Sequence, residues 1–304
     1  MRTHFWFFLF FLPVACTEPI DLWNDGMEPK LVITCILTDS VINSYGGDFY
    51  INRNQVVISK TTPFFDTVFN IQTVDNATVW LDSELLIKGP PGFYLTEDDF
   101  CAIPGKTYTL EVHCDVNGDG KEEIFTAVTT VPPKYKLDSL TLSPLPLIRD
   151  YMALINLHFD DPWDHRYFGA KLTNEDDGSC YSDRILRYSL IRLNAFLSDD
   201  KYRSVPVTDW IIRHEMPHNN KEKYFVFAGD TLSVEFEALS KEYWQFLEAA
   251  KTELSPNNPM FSGPRSNVPT NIKGGAIGIF GSFTSSRAVI QIPPDTPGMP
   301  KRMD

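Results

Sequence analysis

The chain has 304 residues, with 27 Lys plus Arg against 40 Asp plus Glu and a formal net charge of −13. So acidic a surface excludes the phosphate-neutralising footprint of a nucleic-acid binder. With 43% hydrophobic and 22% charged residues the composition is that of a folded globular protein, long enough for about two domains, and the sequence holds no apolar run of roughly 18 residues that would span a bilayer as a helix.

In chain order, Arg2 and His4 precede the apolar run Phe5–Leu12, and Pro13-Val14-Ala15-Cys16 follows. A basic start, a short apolar stretch and a small residue before the cut site form a secretory signal. The cysteine directly after Ala15 makes the segment resemble a bacterial lipobox, with Pro13 where such boxes usually carry Leu. The expectation is a lipoprotein signal peptide over residues 1–15, lipid attachment at Cys16, and a tether over residues 16–28. Acyl chains on one sulfur hold an otherwise polar body on a membrane, each buried methylene contributing about 0.8 kcal/mol.

Residues 29–132 read as short strands between turns. Lys30–Leu37, Gln55–Lys60, Ala77–Leu81, Gly92–Leu95, Tyr108–His113 and Ile124–Val131 are rich in β-branched and aromatic residues. Their spacing predicts an immunoglobulin-like β-sandwich. Pro132-Pro133 breaks the run, and residues 136–292 form a second β-rich domain. Its expected strands are Leu137–Leu147, Ala153–Phe159, Lys223–Ala228 and Leu232–Glu237. One helix is predicted from Ser240, which can cap it, to about Leu254, with Tyr243, Phe246, Leu247 and Ala250 on one face. The glycine-rich Gly274–Gly281 reads as a late strand, and 293–304 as a flexible tail.

Four cysteines remain after Cys16: Cys35, Cys101, Cys114 and Cys180. Export places them in an oxidising compartment, where Cys35 and Cys114 on strands of one sandwich could face each other as a disulfide; buried free thiols are the competing reading. There is no C-x-x-C, hence no zinc-ribbon or thioredoxin-like motif.

Three patterns invite chemistry. His214-Glu215-Met216-Pro217-His218 matches the letters of a zinc-peptidase helix, but Pro217 would break that helix at a cost of about 3 kcal/mol. Asp115, Asn117 and Asp119 resemble the first half of a calcium loop, with Glu123 as a further oxygen donor. The twelfth position is Thr126, and a hairpin loop with an Asp-Gly turn explains the same letters. The acidic clusters Asp160-Asp161, Glu175-Asp176-Asp177 and Asp199-Asp200 offer carboxylates for a hydrolytic dyad, although surface loops of an acidic protein look the same. Trp163, Tyr167 and Phe168 would line a binding surface if exposed, although core packing is the commoner use of such residues. No catalytic residue, metal or cofactor is assigned.

Several ordered segments resemble a family of Bacteroidota outer-membrane lipoproteins known as domain of unknown function 4249. They are Pro29–Ile33 with Thr38-Asp39, Val57–Asp66, Pro104–Leu110, Phe159–Pro162, Gly229–Leu232, Leu239–Phe246, and Pro269–Ile272 leading into the glycine segment. The resemblance implies a two-part β-rich lipoprotein that works by binding, as an accessory ligand-capture or capping subunit beside a TonB-dependent transporter in nutrient uptake. Two other classes stay open: a structural or adhesion sandwich without a transport role, and an unrecognised metal- or carboxylate-dependent hydrolase.

Overall fold

The computed structural model describes residues 29–40, 43–44, 51–52, 54–62, 71–146, 151–160, 167–176, 189–192, 202–213, 227–254 and 268–296. The first half contributes β1 (Leu31–Thr38), β2 (Asn43–Ser44), β3 (Ile51–Asn52), β4 (Gln55–Lys60), β5 (Gln72–Thr73), β6 (Thr78–Leu81), β7 (Glu84–Leu85), β8 (Ile87–Lys88), β9 (Phe93–Leu95), β10 (Thr107–Cys114) and β11 (Glu123–Thr130). The second half adds β12 (Leu137–Pro146), β13 (Tyr151–Asp160), β14 (Tyr167–Asn174), β15 (Ser189–Arg192), β16 (Tyr202–Arg213), β17 (Thr231–Leu239), α1 (Lys241–Leu254) and β18 (Ile277–Gln291). Among the described residues the protein is mainly β with one helix near its C-terminal end, as the sequence predicts.

A nine-stranded sheet is the frame. Eight strands run in the order β15-β14-β17-β18-β1-β4-β9-β8, and β5 pairs with β4 off that path. Against one part of it packs the sheet β11-β10-β6-β7; the third sheet is β12-β13-β16. In the first sandwich Leu31, Ile33, Cys35 and Leu37 alternate inward along β1, and face Leu110 and Val112 of β10 and Phe125 and Ala127 of β11. This period-two burial is what fixes the register, because a one-residue slip would turn every apolar side chain outward. In the second core Phe159 lies against Phe236 at 4.5 Å between ring centroids, and Phe236 stacks on Phe168 at 5.0 Å.

The segment 84–88 runs from one sheet to the other: Leu85 pairs with Trp80 of β6, and Ile87 pairs with Leu95 of β9. It closes one side of the first sandwich. Across the opposite side, Thr126 of β11 bridges to Lys273.

The strand expected at Gly274–Gly281 is in fact β18, 15 residues long, and it reaches both cores. It pairs in parallel with β1 (Cys35↔Phe280) and antiparallel with β17 (Val234↔Ala288). Phe280 enters the first core, while Ala288 and Ile290 pack against the second. The strand runs on past Gly281 without an apolar pattern to mark it, because the stretch Gly281–Arg287 is dominated by Ser and Thr. Those hydroxyls hold the connection between the two cores. Ser282 Oγ donates to the Thr130 carbonyl (3.1 Å), Thr284 Oγ1 donates to the Pro133 carbonyl (2.9 Å), and the Leu137 amide donates to Ser286 Oγ (3.0 Å).

Helix α1 lies on the other face of the large sheet. Ser240 caps it as predicted, its Oγ accepting from the Tyr243 amide at 3.4 Å. Tyr243, Trp244 and Leu247 form a third core with Ile279, Phe283 and Leu239, and Ile36 packs beside them. Among the described residues no helix is long and apolar enough to cross a membrane.

Candidate functional site

Alternation along β17 puts Leu232, Val234 and Phe236 into the second core and sends Ser233, Glu235 and Glu237 to the opposite face. The neighbouring strands answer with charge. Lys171 of β14 stands in register with Glu235, and its Nζ lies 3.2 Å from Glu235 Oε2. Arg287, also in register with Glu235 but on β18, reaches Glu175 with Nη2 2.6 Å from Oε2. Ser233 Oγ donates to the other oxygen of Glu175. The Ser233 hydroxyl and the Arg287 guanidinium hold the Glu175 carboxyl below its ordinary range, against a smaller opposing effect of burial. Glu237 is fully buried, opposite Gly169 on one side and Ser285 on the other. Beyond it Tyr167 packs on Trp244 of α1, with 5.4 Å between ring centroids.

This stripe has a gradient of exposure. The Lys171–Glu235 pair is about four-fifths covered, whereas the Arg287 side chain is 56% exposed. Chemically it can offer fixed charges of both signs and hydroxyls to a polar ligand. Glu175, kept ionised, accepts hydrogen bonds and is ill suited to donate a proton.

The residues singled out from sequence fare differently. Asp115, Asn117 and Asp119 lie in the β10–β11 hairpin loop, where the Asp115 carboxylate is occupied by backbone. It accepts from the amides of Gly118 (2.7 Å), Asp119 (3.2 Å) and Gly120 (2.8 Å), and these bonds, the one from Gly120 foremost, hold it below the usual carboxylate range. Glu123 turns to the Val116 amide (2.9 Å) and to Asn117 Nδ2 (3.3 Å), and Asp119 accepts from the Lys121 amide (2.9 Å). Among the described residues no group of three His, Cys, Asp or Glu side chains is placed to share a metal ion. The loop thus closes on itself through the Asp115 carboxylate.

Of the two readings of Cys35 and Cys114, the structure has free, buried thiols rather than a disulfide, on strands of opposing sheets. Burial pushes the Cys35 thiol far up and is also the main cause of the raised Cys114 thiol. Cys101 is free and exposed. Phe168 is fully buried in the second core and Tyr167 is half-buried against α1, so packing accounts for both. Glu175 belongs to the charged stripe, and Asp176 accepts from the Thr231 amide at 2.6 Å. Cys16, Asp161, Trp163, Asp177, Cys180, Asp199, Asp200 and the segment His214–His218 lie outside the described residues.

Lys171, Glu235, Glu237 and Arg287 were missed from sequence. The signal was present in the polar–apolar alternation Ser233-Val234-Glu235-Phe236-Glu237, but pairing with β14 and β18 was needed to gather the charges.

Residues in the segments that carry the family resemblance act as joints. Asp39, its side chain only 5% exposed, ties the end of β1 to Lys134 Nζ (2.8 Å) and to the Ser285 amide (3.0 Å). Asp230 accepts from Asn174 Nδ2 (2.8 Å) and from the Phe227 amide (2.9 Å). Asn271 pairs with the edge of β18 like a piece of backbone: its Nδ2 donates to the Phe280 carbonyl (2.8 Å) and its Oδ1 accepts from the Phe280 amide (3.0 Å). No curated protein matches this chain. The family model described as "Domain of unknown function (DUF4249)" matches residues 17–288, nearly the whole chain from β1 to β18, and the chain belongs to that family.

Proposed function

We propose that the chain is a non-enzymatic lipoprotein of the outer membrane, anchored through Cys16, that serves as an accessory ligand-capture or capping subunit of a TonB-dependent transporter in nutrient uptake. The observation that carries this reading is the junction at Cys16. The basic, apolar and small-residue pattern of residues 1–15 ends there, and the match to the family begins at Thr17, the next residue. A leader that is removed and a body that starts at the modified cysteine would produce that boundary. The charged stripe supports binding over catalysis: Glu175 is held ionised by Arg287 and Ser233, and the Glu175–Arg287 and Lys171–Glu235 pairs set fixed charges of both signs on one face, where a polar ligand can meet them.

Two measurements test it. Mass spectrometry of the mature protein should find residues 1–15 removed and Cys16 acylated; an intact leader or an unmodified Cys16 overturns the anchor. Affinity purification from detergent-solubilised outer membranes should bring down a large β-barrel in stoichiometric amount. A protein that is acylated but purifies alone would leave the anchor standing and reject the transporter role.

A further inference from the structure

The first sandwich has two ends, and β1 starts at one of them. Pairing puts Lys60, the last residue of β4, opposite Leu31, and brings Gln72 beside Lys60. β18 enters at the same end, with Ile277 beside Val32. The β10–β11 loop belongs there too, because Lys60 Nζ donates to the Val116 carbonyl. From this base β18 runs away towards the second core. At about 3.3 Å per residue, Arg287 lies roughly 33 Å and Gln291 roughly 46 Å along the strand from Ile277. The charged stripe is therefore far from the base.

The base differs from the rest of the surface in two ways. It shows isoleucine to solvent: Ile71 (64% exposed) and Ile277 (37%) on the side of the large sheet, Ile124 (56%) on the side of the small one. It is also nearly neutral. Among its described residues, Lys30, Lys60, Lys121 and Lys273 stand against Asp75, Asp115, Asp119, Glu122 and Glu123, in a chain at −13. Asp115 and Glu123 are turned into the loop by its own amides, whereas Lys30, Lys121 and Lys273 are exposed. At the opposite end of the same sandwich Glu97, Asp98 and Asp99 are exposed together.

We infer that the base is the surface on which the protein sits against its membrane, with these isoleucines in the headgroup layer and the second sandwich pointing away. The inference rests on the Cys16 anchor proposed above. Pro29 follows Cys16 by 13 residues and leads directly into β1 at the base. Such a length reaches about 45 Å when fully extended, and about 20 Å as a flexible chain. An acyl group on Cys16 thus holds the base near the bilayer, while laying the far end of β18 on it would demand the whole length at full stretch. Charge favours the same orientation. An anionic lipid surface repels the acidic parts of the chain, repels the near-neutral base least, and attracts its exposed lysines. Exposed apolar side chains flanked by lysine are what the headgroup boundary accommodates. Seated in this way, the protein holds the Glu175–Arg287 stripe roughly 30 Å out from the lipid, clear of the headgroups.

The test is photo-cross-linking of the full-length acylated protein in vesicles of phosphatidylethanolamine and phosphatidylglycerol. A benzophenone amino acid is placed at Ile71, Ile124 or Ile277. The control positions are Ile103, 58% exposed beside the end of β1, and Val289, 54% exposed far along β18. Mass spectrometry of the same samples reads acylation of Cys16 and adducts with lipid. The expected result is lipid adducts from the three base positions at least ten-fold above those from Ile103 and Val289. With the probe at Ile124, the double substitution Ile71→Glu and Ile277→Glu should cut the adduct at least five-fold at unchanged circular dichroism and unchanged acylation. Acylated protein that gives equal adducts at both ends, adducts from the controls alone, base adducts only with a second copy of the chain, or no response to the two glutamates overturns the seating and leaves the anchor standing. An unmodified Cys16 overturns both.

Discussion

The ring of Tyr243, in the first turn of the helix, lies directly on Gly281 of β18: a Cβ added at Gly281 would sit 2.7 Å from the Tyr243 Cβ and 2.8 Å from its Cγ. The missing side chain is what lets α1 approach the sheet at the place where β18 passes from the first core towards the second. Farther back, Gly278 holds φ at +113° and a Cβ there would fall 2.0 Å from the Ile33 carbonyl oxygen, so close parallel pairing with β1 also depends on glycine.

Gly281→Ala should therefore lift α1 from the sheet. The expected loss is about 1–3 kcal/mol, the usual cost of overpacking a filled contact. Urea unfolding followed by tryptophan fluorescence, in which Trp244 reports the helix, would show it. An unchanged midpoint would mean that α1 shifts without cost.

Asn271→Ala should destabilise the edge of β18 by about 1–3 kcal/mol, because it leaves both the amide and the carbonyl of Phe280 without this partner. Asn271→Asp restores one of the two contacts, so it should fall between the wild type and the alanine variant in thermal denaturation. Equal stability of all three would rule out the role assigned to the side chain.

The pH dependence of stability should carry a contribution from Glu175. Its pKa in the folded protein lies below the unfolded value of about 4.5. The stabilisation from Ser233 and Arg287 is thus complete above pH 4.5 and disappears as pH falls through the lower, folded value. The stability difference between wild type and Glu175→Gln should shrink between pH 6 and pH 3 in denaturant titrations. A constant difference across that range would contradict the assignment.

Thiol reactivity should split by burial. In the native protein Cys101 should react with a maleimide within minutes, while Cys35 and Cys114 should react only after unfolding, because burial keeps them protonated and out of reach. Peptide mass spectrometry distinguishes the three sites. Rapid native labelling of Cys35, or its recovery in a disulfide with Cys114, would show that the first core is built differently.

Much of the fold is legible in the chain because burial imposes local periods. The strand at Gln55–Lys60 and the Ser240 cap follow from residues within a few positions of one another. The site is less legible for the same reason turned around. Asp115-Val116-Asn117-Gly118-Asp119-Gly120 spells oxygen donors at alternate positions, and only the tertiary structure shows that the Gly118 and Gly120 amides turn back onto the Asp115 carboxylate. Asp39, Asp230 and Asn271 look like ligands by residue type and act as joints, because each meets backbone groups far away in the sequence.

By itself the sequence determined a mainly-β chain with one capped helix and the alternation that fills the cores, since these are written in short-range spacing. The tertiary structure alone decided that β18 belongs to both cores, that Ser282, Thr284 and Ser286 secure the connection between them, and that Lys171, Glu175, Glu235 and Arg287 share one face. Those facts depend on which strands lie side by side, and hydrogen-bonded pairing across 50 to 250 residues leaves no periodic trace in the order of the amino acids.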